Sequence, residues 1–257
     1  MFNFQTYLHG LVIIVSFAVV TWVVSVVKRN ASIVDSVWFI LFLAAACVYV
    51  VEGERSERAW FMLSLVAIWA LRAAIYIAAR NWGEPEDRRY QAIRRRNEPN
   101  FALKSLYIVF LLQSLLAWIV SLPLLAGASG VQSLGVLDYI GTAVVVFGTA
   151  FESIADWQLA RFKADPANSA RVMEQGLWRY TRHPNYFGEC CLWWGFYLMA
   201  LATGAWWSIV GPLLMTTLLL KVSGVALLER NISKRRPDYE RYIRQTNAFI
   251  PGPRRAL

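Results

Sequence analysis

The chain has 257 residues, of which 57% are hydrophobic, and it carries a formal net charge of +9. A soluble domain of this size is usually about 45–50% apolar, so a water-soluble globular protein is excluded. The hydrophobic residues also fall in long blocks, which points to membrane spans of roughly 20 residues each.

Seven such blocks follow one another at 7–27, 33–52, 60–80, 104–126, 137–159, 185–204 and 206–228. The last two are separated only by a short turn near Gly204–Ala205, so a six-span count is the alternative. The cations decide between them. All but four of the 26 Lys and Arg lie in the odd-numbered loops or the C-terminal tail, the exceptions being Arg55, Arg58, Arg72 and Lys221. Positive residues concentrate on the cytoplasmic side. The parity therefore predicts an all-α polytopic protein with seven transmembrane helices, its N-terminus outside and its C-terminus cytoplasmic.

The positive charge needs no nucleic-acid partner, because topology and anionic lipid account for it. Cys47, Cys190 and Cys191 sit in apolar segments and show neither metal-ligand spacing nor a disulfide framework. His9 and His183 are the only histidines, which argues against a multi-histidine metal site. The first apolar block lacks a basic leader and a small-residue cleavage site, so no cleavable signal is expected. One helical domain over 1–257 is the simplest organisation, and a monomer is expected.

Ionisable residues inside the spans are costly in hydrocarbon and usually face a bundle interior or a cavity. Asp35 opens the second span. Trp69, Arg72, Tyr76 and Arg80 recur at helical spacing on one face of the third, which ends at Asn81. Glu152 and Asp156 are one turn apart in the fifth, and Asn185 and Glu189 one turn apart in the sixth. The third loop, RNWGEPEDRRYQAIRRRNEPNF, mixes both signs of charge and reads as a folded loop with internal ion pairs.

The segment GLWRYTRHPNYFGE places Arg179 and Arg182 just before a helix that begins around Pro184. The free N–H groups and positive dipole end of that helix favour an anion such as a phosphate. Gly188 and Gly195 share a face and allow close helix approach. In the tail, Tyr239 and Tyr242 are at helical spacing, and the FIP unit at 249–251 is expected to dock back on the bundle.

Taken together, the Asp35–Trp38 stretch, RNWGEPEDRRY (80–90), SLPLLA (121–126), DWQLARFKADPANS (156–169), GLWRYTRHPNYFGE (176–189), RRPDYERY (235–242) and FIP (249–251) resemble the steroid 5-alpha-reductase-like membrane proteins, in the bacterial branch labelled a domain of unknown function. The set spans nearly the whole chain in order. The resemblance implies a seven-helix reductase that binds NADPH on the cytoplasmic side of a bacterial inner membrane. It would reduce a carbon–carbon double bond conjugated to a ketone in a lipid-soluble substrate.

The resemblance also implies residue roles. The cofactor site falls in the C-terminal half, 137–257. Arg179, Arg182 and the helix start at Asn185 would hold phosphates, and Asn185 and Glu189 would contact ribose or the nicotinamide amide. Asp156, His183, Tyr186, Arg236, Tyr239 and Tyr242 fall in the matching cofactor-side segments, while Arg80 and Asn81 would close over the adenosine end. On the substrate side, Asp35 stands in the region of the family's catalytic glutamate. The family's partner tyrosine falls near Trp69; either Tyr76, two turns along that face, takes the donor role, or the carbonyl chemistry differs. A nearby arginine favours NADPH over NADH. RHPNYFG also resembles isoprenylcysteine carboxyl methyltransferases, which use S-adenosylmethionine, and a non-enzymatic lipid-binding relative is the third alternative.

Overall fold

The computed structural model of the chain describes residues 2–222 and 238–256. Every regular element among them is helical; the only β-type pairing is an isolated bridge between Thr181 and Asn247. The helices are α1 (Phe4–Lys28), α2 (Ile33–Glu52), α3 (Glu57–Asn81), α4 (Arg88–Asn97), α5 (Phe101–Val120), α6 (Leu122–Ala128), α7 (Val136–Ala164), α8 (Pro184–Leu201), α9 (Trp206–Val222) and α10 (Asp238–Gln245).

Five of them, α1, α2, α3, α5 and α7, are long and apolar enough to cross a membrane. A helix of 25 residues such as α1 is about 37 Å long, against roughly 30 Å of hydrocarbon. The sixth expected span corresponds to α8, with 18 residues. The seventh corresponds to α9 as far as Val222; the remainder, 223–228, lies outside the described residues. The fourth expected span, 104–126, is divided. The helix ends at Val120, Ser121 turns the chain, and α6 restarts with Pro123 in its first turn. Proline lacks an N–H and cannot continue a helix interior, but fits a first turn.

The chain divides into two compact units: residues 1–138 with 199–211, and residues 139–198 with 212–257. In the first, α1 buries Gly10, Ile14, Ala18, Thr21 and Ser25 along one face. Apart from Ile14 these side chains are small and let α2 approach closely, as membrane helices without a water-driven hydrophobic effect require. At Gly10 a Cβ would stand 2.4 Å from the Tyr49 ring, so only glycine fits. The opposite faces of these helices keep Val12, Val20, Val27, Ile68 and Ile75 exposed, as lipid contact demands. Caps fix the helix starts: Asn3 accepts the N–H of Thr6, and Ser56 that of Ala59.

One clamp of this unit has no counterpart in the sequence reading. Arg58, at the start of α3, and Asp138, at the start of α7, are both buried and meet through two parallel hydrogen bonds of 2.7 and 2.8 Å. Arg58 also donates to the carbonyls of Gln132 and Ser133, and Asp138 accepts the N–H of Gly135. The 130–138 connection is thereby closed on α3.

In the second unit, α7 and α8 pack backbone to backbone. A Cβ on Gly188 would lie 2.6 Å from both the Glu152 amide and the Gly148 carbonyl, and one on Gly195 would lie 2.7 Å from the Gly141 carbonyl. Gly188 and Gly195 thus form the close-approach face expected of them. The C-terminal segment folds back as well. Thr181 bridges Asn247 and donates to the carbonyl of Phe249, and Gly252 donates to that of Tyr180.

Candidate functional site

Apart from the Arg58–Asp138 clamp, each unit carries a cluster of polar side chains, part-buried in the first and buried in the second. In the first unit it is built on the third loop. Asp87 caps α4 by accepting the N–H of Arg89, and its own N–H is donated to Ser32 Oγ at 2.6 Å. Glu86 accepts the N–H of Ala31 at 2.8 Å and two hydrogen bonds from Arg94, while Arg94 also reaches the carbonyl of Arg29. The loop is thus laced to the short turn between α1 and α2, with the internal ion pairs its mixed charge predicts.

Asp35 lies within this lacing. Its carboxylate accepts a hydrogen bond from Arg89 at 2.6 Å and another from the Tyr90 hydroxyl at 2.6 Å. Gln113 on α5 donates to the same hydroxyl at 3.3 Å, just past a π-helical turn at Leu106–Leu111. The phenol on Asp35 is therefore that of Tyr90, 55 residues away in sequence. Tyr76 is half-buried on α3. Trp69 is fully buried in the apolar core, edge-on to Phe39 with ring centres 5.4 Å apart. Arg80 is exposed and donates to the Asn81 side chain.

The charges of this cluster shift one another. Burial alone would raise the Glu86 carboxyl, but hydrogen bonds from Arg94 and Ala31 and the Arg94 charge bring it below the usual range. Asp87 behaves alike: burial opposes, and Arg89's hydrogen bonds with the charges of Arg89 and Arg80 prevail in lowering it. Tyr90 is pushed well above a free phenol, first by burial and then by the neighbouring Asp35.

In the second unit the polar group gathers where α7 passes the start of α8. Glu152, Asp156, His183 and Glu189 are all buried. Asn185, in the first turn of α8, directs its amide to Asp156 at 3.4 Å. The rings of His183 and Tyr186 stack with an interplanar angle of 6°. The approach of the two backbones at Gly148 and Gly188 is what sets Glu152 beside this helix start. Carboxylates and an amide suit ribose hydroxyls and a carboxamide, since they accept and donate hydrogen bonds without requiring a charged ligand.

Three residues expected on the cofactor side, Arg182, Tyr239 and Tyr242, are engaged with the tail. Arg182 is buried and donates to the carbonyls of Ile243 and Thr246, at the end of α10, while its N–H goes to Asn247. A cation there satisfies the exposed carbonyls and the negative dipole end of the helix. The Tyr242 hydroxyl donates to the carbonyl of Trp178. Tyr239 is buried against Tyr242, their ring centres 5.5 Å apart. These groups hold the tail in place, and two tyrosines at helical spacing were the sequence signal for a docked tail helix. Arg179 is exposed next to the helix start. Arg236 lies outside the described residues. No group of three or more His, Cys, Asp or Glu with metal-holding geometry occurs among the described residues.

Comparison with known proteins adds a family and a relative. An uncharacterized protein of Schizosaccharomyces pombe is 26% identical over 289 aligned positions, which cover 97% of this chain and 81% of the relative. No solved structure matches the chain. The relative is fungal, so it lends no support to a bacterial compartment, and the apolar helices carry the reading as an integral membrane protein. The family model for the protein of unknown function DUF1295 matches residues 21–246, and with that span the chain belongs to the DUF1295 family.

Proposed function

We propose that the protein is a seven-span membrane reductase, N-terminus outside and C-terminus cytoplasmic, that uses NADPH to reduce a carbon–carbon double bond conjugated to a carbonyl in a lipid. The observation that carries this reading is the polar group at the start of α8: Asn185 on Asp156, with buried Glu152, Glu189 and His183 around them. In a chain this apolar, so many buried polar groups in one place are expensive unless they serve a ligand.

NADPH, when bound, would supply the hydride. Asn185 would hold the carboxamide or a ribose hydroxyl, and Asp156 and Glu189 would accept from ribose hydroxyls. Arg182 is committed to the tail, so Arg179 is the cation we assign to phosphate. On the substrate side, an Asp35 ion-paired with Arg89 accepts hydrogen bonds and does not donate them. The Tyr90 phenol gives its one O–H to Asp35 in this structure, so to serve a carbonyl oxygen it would turn that proton from Asp35 to the substrate while Gln113 holds its oxygen. A phenol in that role stabilises negative charge developing on the oxygen.

The test is ligand-dependent stability of the purified protein. NADPH should raise the melting temperature of wild type, and Asn185→Ala should remove the gain. A melting curve indifferent to NADPH but shifted by S-adenosylmethionine would replace the reading with a methyltransferase.

A further inference from the structure

We propose that the groove between the ends of α1 and α5 is a binding site for an anionic glycerophospholipid whose headgroup carries hydroxyls, of the phosphatidylglycerol type. The groove has a volume of about 690 Å³. It lies where two candidate membrane spans end side by side: Ser25, Val26 and Arg29 come from the last turn of α1 and its cap, and Phe101, Ala102 and Ser105 from the first turns of α5. That is the level of the lipid headgroups.

The charge is arranged for such a ligand. Arg29 caps α1 in the left-handed conformation, with φ of 51°, and its guanidinium is exposed and meets no acceptor among the described residues. Arg94 spends Nε and Nη2 on Glu86 and on the Arg29 carbonyl and lies 4.3 Å over the Phe101 ring; its Nη1 has no acceptor among the described residues. Two donors therefore point to a phosphate. The hydroxyls of Ser25 and Ser105 donate to their own helices, to Trp22 and Ala102, so toward a ligand they can only accept. Glu98, on the rim, also only accepts. Phosphate donors beside a set of acceptors suit a phosphate ester bearing hydroxyls.

The rest of the site suits a lipid rather than a soluble phosphate. Val26, Pro99, Phe101 and Ala102 line the groove itself and give the start of an acyl chain an apolar wall. Lys28 ends α1 and adds to the local positive charge that draws anionic lipid.

The experiment is native mass spectrometry of the full chain, released from detergent after exchange with phosphatidylglycerol or phosphatidylcholine. The expected result is one phosphatidylglycerol retained in preference to phosphatidylcholine. Arg29→Gln should reduce that preference roughly tenfold, the scale of one charge-assisted hydrogen bond. Ala102→Phe, which fills the groove without changing charge, should also remove it. Arg95→Gln, on the exposed face of α4, should leave it intact. Equal losses for Arg29→Gln and Arg95→Gln would overturn the proposal in favour of diffuse surface charge. Displacement of the lipid by millimolar glycerol phosphate would overturn it in favour of a soluble ligand, and full retention by both Arg29→Gln and Ala102→Phe would place the lipid outside this groove.

Discussion

Arg58 and Asp138, 80 residues apart, close a two-pronged ion pair at 2.7 and 2.8 Å with both side chains buried. Breaking such a pair by removing one partner leaves a buried charge uncompensated, at a cost of about 3–5 kcal/mol. Arg58→Ala and Asp138→Ala should each lower thermal stability by that order. Replacing both with apolar residues of similar volume should cost much less than either alone. Melting curves of the three variants in one detergent check this, and additive losses would contradict it.

The contact of α7 with α8 admits no side chain at Gly188. A Cβ there meets backbone atoms at 2.6 Å, which cannot turn aside as a flexible side chain would. Gly188→Ala gains up to about 1 kcal/mol of helix propensity. Overpacking costs about 1–3 kcal/mol and outweighs it. The variant should melt lower than wild type; an unchanged or higher melting temperature would mean the helices separate at no cost.

The third loop should loosen in acid. Glu86 and Asp87 are held below their ordinary values of 4.5 and 3.8. Their contribution is therefore fully present above those values and is lost as pH falls through the lower, folded-state values. Pepsin cleavage within residues 83–97 should rise steeply below about pH 4 in wild type. Glu86→Gln should be more readily cut than wild type at pH 5, with the difference closing as pH falls. Parallel curves for the two proteins would contradict the assignment.

Arg182 and Arg179 should separate by function. Arg182→Gln removes the donor on Ile243 and Thr246, so α10 should become accessible to carboxypeptidase even without ligand. Arg179→Gln should leave the tail protected and weaken NADPH roughly tenfold, as the loss of one charge-assisted contact implies. Tail release by both variants, or by neither, would contradict the division of roles.

Five of the spans and the folded third loop were legible because they rest on local pattern: runs of apolar residues, and opposite charges a few positions apart. The break at Ser121 was hidden by the apolar residues on either side of it, with Pro123 as its only mark. The phenol on Asp35 was missed for a different reason. Tyr76 shares a helix face with Trp69, so periodicity favours it, whereas Tyr90 reaches Asp35 only through a loop fold that pairs Asp87 and Glu86 with the α1–α2 turn. The same holds for Arg182: a cation before a helix start reads as a phosphate ligand until the tail's carbonyls are seen against it. Arg58 and Asp138 carried no signal beyond their charges at the edges of two apolar blocks.

The most direct test of the central claim is hydride transfer coupled to binding. Purified protein should bind NADPH and, with a lipid enone, oxidise it at 340 nm, while Asn185→Ala and Asp156→Asn lose binding yet melt near wild type without ligand. Unaltered NADPH binding in both variants would contradict the site, and no shift with NADPH in wild type would contradict the function.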